Sequence, residues 1–380
     1  MKYKNIPFNR VDIQGKELEY INETIENAHI SGDGIFTHKC NSFLEKDLGI
    51  KKSLLTTSCT HALEMAIKLL NIKSGDEVIV PSFTFVSTVN PVVLCGAKPV
   101  FIDIREDTLN IDEIKLRSLI TNKTKAIMVV HYAGVGCEMD HIIDIANDYN
   151  IPVIEDNAHG LFGKYKNEYL GTFGTFSTLS FHETKNFSCG EGGALIINDD
   201  KYIERAEIIR EKGTDRSKFY RGEIDKYTWI DIGSSYLPSD ILAAFLFAQF
   251  EERDKIQSKR KKIWETYYNS LKNWAEENNV RLPFIPDYCE QSYHIFYLLF
   301  VSEEIRNQFL TYMQGKGITA IFHYLPLHLS KMGKKFGGTK GNCPVAEDVS
   351  DRLVRLPFYT DISIDEQDSI LNEVKLFISR

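Results

Sequence analysis

Between residue 53 and about residue 200, short apolar runs alternate with stretches whose apolar positions recur at helical spacing. Ser53–Thr57 (SLLTT) leads into a segment where Leu63, Ala66, Ile67 and Leu70 share one helical face. Glu77–Val80, Pro99–Ile102, Lys125–Val130 and Ile151–Ile154 are further short apolar runs, and Phe176–Phe181 and Ala194–Ile197 read as two more strands. Nearly continuous apolar strands separated by helices predict a mostly parallel sheet covered on both faces. Helical periodicity returns at Tyr202–Glu211, and Ser239–Glu251 reads as a buried helix whose core, Ile241–Ala248 (ILAAFLFA), is apolar enough to serve a subunit interface. Around Glu251–Lys262 the chain turns strongly charged, as an exposed helix between domains would. Beyond Pro283 and Pro286 a smaller α+β unit is expected, with Tyr293–Val301 as a strand. The expected organisation is a large α/β domain over residues 1–250, N-terminal segment included, and a small α+β domain over 251–380.

Composition narrows the class. With about 100–200 residues per domain, 380 residues make two or three domains with a sizeable core. A hydrophobic share of 43% and a charged share of 26% exclude disordered and fibrous chains. The net charge is −8 with no basic run, so neither nucleic acid nor an anionic membrane is an expected partner. The longest apolar run falls far short of the roughly 20 residues of a membrane span, and the first residues lack the apolar core of a signal peptide. The seven cysteines are odd in number and scattered, without a CxxC pair, which fits free thiols in a reducing cytoplasm. There the Asn-x-Ser/Thr triplets at Asn22, Asn122 and Asn186 carry no meaning.

Ligands of parallel α/β sheets sit beyond the carboxyl ends of the strands. Three polar groups fall there: Thr57-Ser58-Cys59-Thr60, Glu155-Asp156, and His182 to Lys185. The first opens a helix, whose free N–H groups suit a phosphate, although Ser and Thr also cap helices routinely. An acid after a buried strand can equally be a cap, and a lone lysine is usually surface charge. Lys185, however, sits between an apolar strand and the Gly-rich turn Gly190-Glu191-Gly192-Gly193, which lacks the spacing of a dinucleotide fingerprint. A phosphate cradle, a buried acid and a lysine some thirty residues later together suit pyridoxal 5′-phosphate (PLP). That cofactor needs a phosphate anchor, a carboxylate on its ring nitrogen and an amine for its aldehyde.

These residues lie in stretches that resemble the DegT/StrS-like sugar-nucleotide aminotransferases, PLP enzymes of fold type I. The stretches are GDEVIVPSFTFVSTVNPV, VVHYAGVGCEMD, IPVIEDNAHG, LSFHETKNFSCGEGGALI, EIIREKGTDRSKFYRG and HYLPLH. The resemblance runs nearly end to end. Within it, KYTWIDIGSSYL, FTHKC and FHETKN are most similar to the branch that makes dTDP-4-amino-4,6-dideoxygalactose for surface polysaccharide.

The resemblance implies roles position by position. Lys185 would be the catalytic Schiff-base lysine and proton shuttle, and Asp156 the partner of the ring nitrogen. His159 would meet the cofactor's phenolic oxygen, and Phe85 would stack on its ring. Backbone N–H groups of Cys59 and Thr60, with the Ser180 hydroxyl, would hold the phosphate. Ser235, in Gly233-Ser234-Ser235-Tyr236-Leu237, stands where many relatives have an asparagine that reaches across a homodimer to that phosphate. On the substrate side, Gly32, Asp33, Gly34 and Phe36 resemble a cleft-lining loop, as do His323, Tyr324 and His328 of HYLPLH. Arg210, Lys212, Arg216 and Arg221 form a basic cluster for a diphosphate, or else a solvated helix end. No metal is expected, because His323 and His328 have no third ligand nearby. The implied reaction takes the amine of L-glutamate to a dTDP-linked keto-sugar. A sugar dehydratase would carry histidine in place of Lys185, and a non-catalytic PLP-binding regulator would not need Lys185, Asp156 and Phe85 intact.

Overall fold

The computed structural model describes residues 5–377. Seven strands build the central sheet: β1 (Lys52–Thr56), β2 (Glu77–Pro81), β3 (Lys98–Ile102), β4 (Thr124–Val130), β5 (Val153–Asp156), β6 (Phe176–Ser180) and β7 (Gly193–Ile197). Their spatial order is β1-β7-β6-β5-β4-β2-β3. Strands β2 to β6 pair in parallel, while β7 runs antiparallel to both β6 and β1. The principal helices are α1 (Glu17–Glu26), α2 (Ile35–Leu48), α3 (Cys59–Leu69), α4 (Val86–Leu94), α5 (Met139–Asp148), α6 (Ile203–Arg210), α7 (Asp240–Glu251) and α8 (Arg253–Glu277), followed by α9 (Glu303–Gly315), α10 (Pro344–Arg352) and α11 (Ile364–Leu376).

Neighbouring residues of one strand enter different cores, as a sheet covered on both faces requires. Val78, Val80 and Met128 pack with Leu63, Ala66 and Ile67 of α3. Ile79, Ile127 and Val129 point the other way, against Met139 and Ile142 of α5. At the far edge Leu55, Leu179 and Ile196 meet α2 and α7. The apolar stretch ILAAFLFA of α7 is therefore largely consumed by the protein's own core: Ala243, Ala244, Leu246 and Ala248 are buried there, with Leu242, Phe245 and Phe247 packed alongside.

A second core forms around α8, with Ile263, Trp264, Tyr267 and Leu271 against α9 and α11. Ile6 belongs to it and pairs with Ile318. The charged start of α8 is less exposed than its composition suggests, since Arg260 is buried and its guanidinium holds the carbonyls of Tyr293 (3.0 Å) and His294 (2.7 Å). Those carbonyls are thereby withdrawn from strand pairing, and Tyr293 adopts a φ of +55°. Of the expected strand 293–301 only β8 (Tyr297–Leu299) forms. It joins β9 (Ile321–Phe322) and the central β10 (Leu353–Arg355) in a small sheet. A further cluster joins the two sheets: Phe83 and Tyr132 pack against Tyr297, Leu299, Cys343 and Ala346.

Candidate active site

The carboxyl ends of β1, β5 and β6 converge on one place. Beyond β1, Ser58 caps α3, its hydroxyl accepting from the His61 N–H at 3.1 Å. Cys59 and Thr60 thus lie in the first helical turn, where backbone N–H groups have no partner within the helix and the dipole is positive. Gly193 of β7 packs so tightly on this turn that a Cβ would run into the Ser58–Cys59 backbone. Ser180, at the end of β6, pairs with Gly193 across the ladder, which sets the hydroxyl-bearing residue beside the same turn.

The run VIED extends β5 two residues beyond the expected strand, and its two acids differ in role. Glu155 is fully buried, 2.8 Å from His131 Nε2, and accepts backbone N–H groups of Gly171, Phe173 and Gly174. Its hydrogen-bonding capacity is spent on structure. Asp156 is buried too, but accepts only the Thr88 hydroxyl at 2.7 Å and the Ala158 N–H at 3.2 Å. Burial pushes its carboxyl up, opposed by Thr88, Ala158 and the positive charges of Lys185 and His131.

Lys185 follows β6 and is partly buried. Burial pulls its ammonium down to about 8, against the pull of Cys59 and Asp156 and with the help of Arg355. At pH 7 about one such lysine in ten is neutral, against about one in three thousand for an ordinary one. His159 lies over the same space. Its ring stacks on His294 at 4.3 Å, Nε2 is 3.3 Å from the Tyr324 hydroxyl, and buried Nδ1 has no hydrogen-bond partner among the described residues. Burial holds the imidazole well below its usual pKa, hence neutral. Phe85 ends the loop before α4 and is 57% exposed, with its ring 6.2 Å from that of Tyr324. An exposed aromatic, a buried acid, a neutral histidine and a low-pKa lysine in one region are the groups a flat, anionic cofactor requires.

Residues 11–375 match the model of the DegT/DnrJ/EryC1/StrS aminotransferase family. The chain belongs to that family. It is 34% identical to the uncharacterized protein MJ1066 of Methanocaldococcus jannaschii, over 98% of this chain and 97% of that protein. It is 30% identical to the GDP-perosamine synthase of Escherichia coli O157:H7 over 100% of both. Among solved structures it is similar to Spr1654 of Streptococcus pneumoniae, provisionally assigned as a sugar aminotransferase, in its PLP form (27% identity, TM-score 0.89, 98% of both chains).

Several residues expected at the substrate cleft have partners within the fold. Phe36 is fully buried, 4.9 Å from Tyr20, and lines core rather than cleft. The start of α2 is already capped by the Asp240 carboxylate, which takes the N–H groups of Thr37 (2.7 Å) and Phe36 (3.2 Å). That carboxylate fills the space beside Gly34 where a Cβ would stand, while Gly32 packs on Leu237. Asp33 is bound by Arg210 at 2.6 Å. Arg210 is itself buried and also donates to the Leu55 carbonyl at 2.8 Å, so its guanidinium is engaged within the fold. Lys212 is ion-paired with Glu211, and Arg216 and Arg221 with Glu211 and Glu207. His328 is fully buried between Ser82 and Glu347. His323 bonds the Tyr132 hydroxyl at 2.7 Å and stacks on Tyr324 at 3.7 Å, which places Tyr324 and His323 at the site. Ser235 is exposed, its backbone bridged to Glu211. Sequence reasoning missed Thr88 and His294; Thr88 lies in the first turn of α4, three residues after the loop residue Phe85.

Proposed function

We propose that the protein is a PLP-dependent sugar-nucleotide aminotransferase that moves the amine of L-glutamate to carbon 4 of dTDP-4-keto-6-deoxyglucose, giving dTDP-4-amino-4,6-dideoxygalactose and 2-oxoglutarate. The observation that carries this reading is the placing of Lys185, held near pKa 8, within electrostatic reach of the buried carboxylate of Asp156 beyond the ends of adjacent strands. The residues present fit the cofactor: His159 Nδ1 is an orphaned buried donor or acceptor, and each Asp156 oxygen accepts one hydrogen bond, from Thr88 or Ala158, and keeps a second lone pair for a ring N–H. When bound, PLP supplies an aldehyde for the amine and a ring that withdraws electrons from the reacting carbon.

The chain's own groups do the rest. Asp156, pinned by Thr88, would hold the proton of the ring nitrogen, and a positive ring beside it would favour the ionised carboxylate. Lys185 reaches a useful neutral fraction near pH 7 and can take and return a proton at the substrate carbon. His159 stays neutral and can hydrogen-bond the phenolic oxygen without adding charge. Phe85 covers one ring face and fixes its orientation. Cys59, Thr60 and Ser180 face the phosphate position, with charge supplied by the α3 dipole. A homodimer is part of the proposal, with Ser235 reaching the neighbouring cofactor; the exposed Trp229, Ile230 and Ile232 beside it supply the apolar surface that α7 does not.

A GDP-linked 4-keto-6-deoxyhexose is the second reading, favoured by the identity to GDP-perosamine synthase. Adding glutamate to the loaded enzyme should change its visible absorbance, and adding dTDP-4-keto-6-deoxyglucose should restore it. Restoration by the GDP-linked sugar alone would select the second reading. Restoration by neither would reject both.

A further inference from the structure

Lys185 lies in the connection between β6 and β7, a stretch without helix or strand, where its own N–H bonds the His182 carbonyl at 2.9 Å. The next side chain, Asn186, is buried, and both ends of its amide reach the segment that leads into β8. Its Nδ2 donates to the Ser292 carbonyl at 2.7 Å, and its Oδ1 lies 2.9 Å from His294 Nδ1. The Ser292 carbonyl can only accept, so the amide has one orientation, and Oδ1 receives its bond from an Nδ1–H. That fixes the tautomer of His294. The ring is buried, and burial together with the neighbouring His159 holds it well below its usual pKa, hence neutral. The bond therefore persists while Lys185 titrates.

His294 is braced from several directions. Its ring stacks on that of His159, with 4.3 Å between centres and 28° between planes. Its carbonyl accepts Arg260 Nη2 at 2.7 Å, and the Tyr293 carbonyl accepts Arg260 Nε at 3.0 Å. The Ser292 N–H bonds the Gly134 carbonyl at 3.1 Å, and the Ser292 hydroxyl donates to the His159 carbonyl. Asn186 is thus tied to a segment anchored at α8, at Gly134 and at His159. Stability alone does not call for such a pair, since two apolar side chains of the same shape would serve the fold nearly as well. What a directional bond between braced groups adds is a single position. A lysine amine swings on a flexible four-carbon stem, so the main chain beneath it sets where it can reach. A misplacement of about 1 Å is enough to slow a reaction strongly.

We propose that Asn186 and His294 are a positioning pair for Lys185: the His294 N–H holds Asn186, and through it the main chain from which the Lys185 amine meets the PLP aldehyde. Neither acts on the substrate; both act through Lys185. The proposal rests on the reading of Lys185 as the residue that takes PLP, and adds to it the pair that aims the amine.

The test separates the aim of Lys185 from the shape of its pocket. Pyridoxamine 5′-phosphate has the phosphate, ring and phenolic oxygen of PLP but no aldehyde, so its affinity for the cofactor-free protein reports the pocket without Lys185. PLP capture, in which the Lys185 nitrogen replaces the aldehyde oxygen and water leaves, is followed by the visible band after rapid mixing at saturating PLP. His294→Phe keeps a ring for the stack and loses the donor. It should slow capture about tenfold, the effect of one lost hydrogen bond, with pyridoxamine 5′-phosphate affinity within about threefold of wild type. Asn186→Ala should slow capture at least as much, and the double variant no more than the slower single one, because both act through one contact. His294→Asn, whose amide nitrogen stands where Nδ1 does, should recover capture to within about threefold of wild type. Unchanged capture in the single variants, or effects that multiply in the double, would overturn the proposal, as would capture in His294→Asn as slow as in His294→Phe. Equal loss of capture and of pyridoxamine 5′-phosphate affinity would reduce the pair to a structural one and overturn it as well. A Lys185→Ala protein that forms the visible band as fast as wild type would overturn the reading beneath it instead.

Discussion

Replacing Lys185 with methionine should make the cofactor-free protein more stable. The ammonium is held near pKa 8 chiefly by burial, against about 10.5 in the unfolded chain. The folded state therefore carries a penalty of about 3 kcal/mol for the charged form. The sign follows from proton counts. Below pH 8 both states bind the proton and the folded protein bears the whole penalty. Between pH 8 and about 10.5 the unfolded state holds the proton that the folded state has lost, so wild-type stability rises with pH relative to the variant. Methionine has a similar length and no charge, so Lys185→Met should gain about 3 kcal/mol at pH 7 and about 1 kcal/mol at pH 9.5. Urea unfolding of both proteins at the two pH values, compared at equal slope, measures the narrowing directly. Other titrating groups cancel in the difference between the proteins. A variant less stable than wild type at pH 7, or a gap that does not shrink, would refute the claim that Lys185 is held as a strained, easily deprotonated amine.

Asp156→Asn should keep the fold and still bind PLP while turnover drops at least about 100-fold; near-normal turnover would make Asp156 a cap only. Thr88→Val removes the hydroxyl that lowers Asp156, so the acid limb of the pH–rate profile should move to higher pH, at a stability cost of about 1 kcal/mol. Arg210→Met should cost about 2 kcal/mol in urea unfolding by stranding Asp33, yet leave half-saturation by the sugar nucleotide unchanged. Phe85→Leu should leave stability within about 0.5 kcal/mol, since the ring is exposed, and weaken PLP binding about tenfold in equilibrium titration.

What the sequence makes legible follows the range of the forces involved. The sheet strands announce themselves because burial on both faces leaves unbroken apolar runs, and the strand ends then locate Cys59, Asp156 and Lys185. The errors come from side chains whose partners are distant along the chain. Arg210 reads as a free cation until Asp33 is found beside it, and His328 as a cleft residue until Ser82 and Glu347 enclose it. Phe36 sits in a glycine-rich loop motif, but Asp240 supplies the cap there and turns the ring inward. The strand at 293–301 looks continuous because nothing local shows that Arg260 will take two of its carbonyls.

The central claim is that Lys185 and Asp156 form one centre that transfers nitrogen from an amino acid to a sugar. Incubating the PLP-loaded enzyme with 15N-labelled L-glutamate and dTDP-4-keto-6-deoxyglucose, with the Lys185→Ala protein as control, and reading the product by NMR tests it directly. The account predicts 15N at carbon 4, with proton couplings of an axial amine, and none from Lys185→Ala. Unlabelled sugar from the wild type, or equal labelling by both proteins, would contradict it.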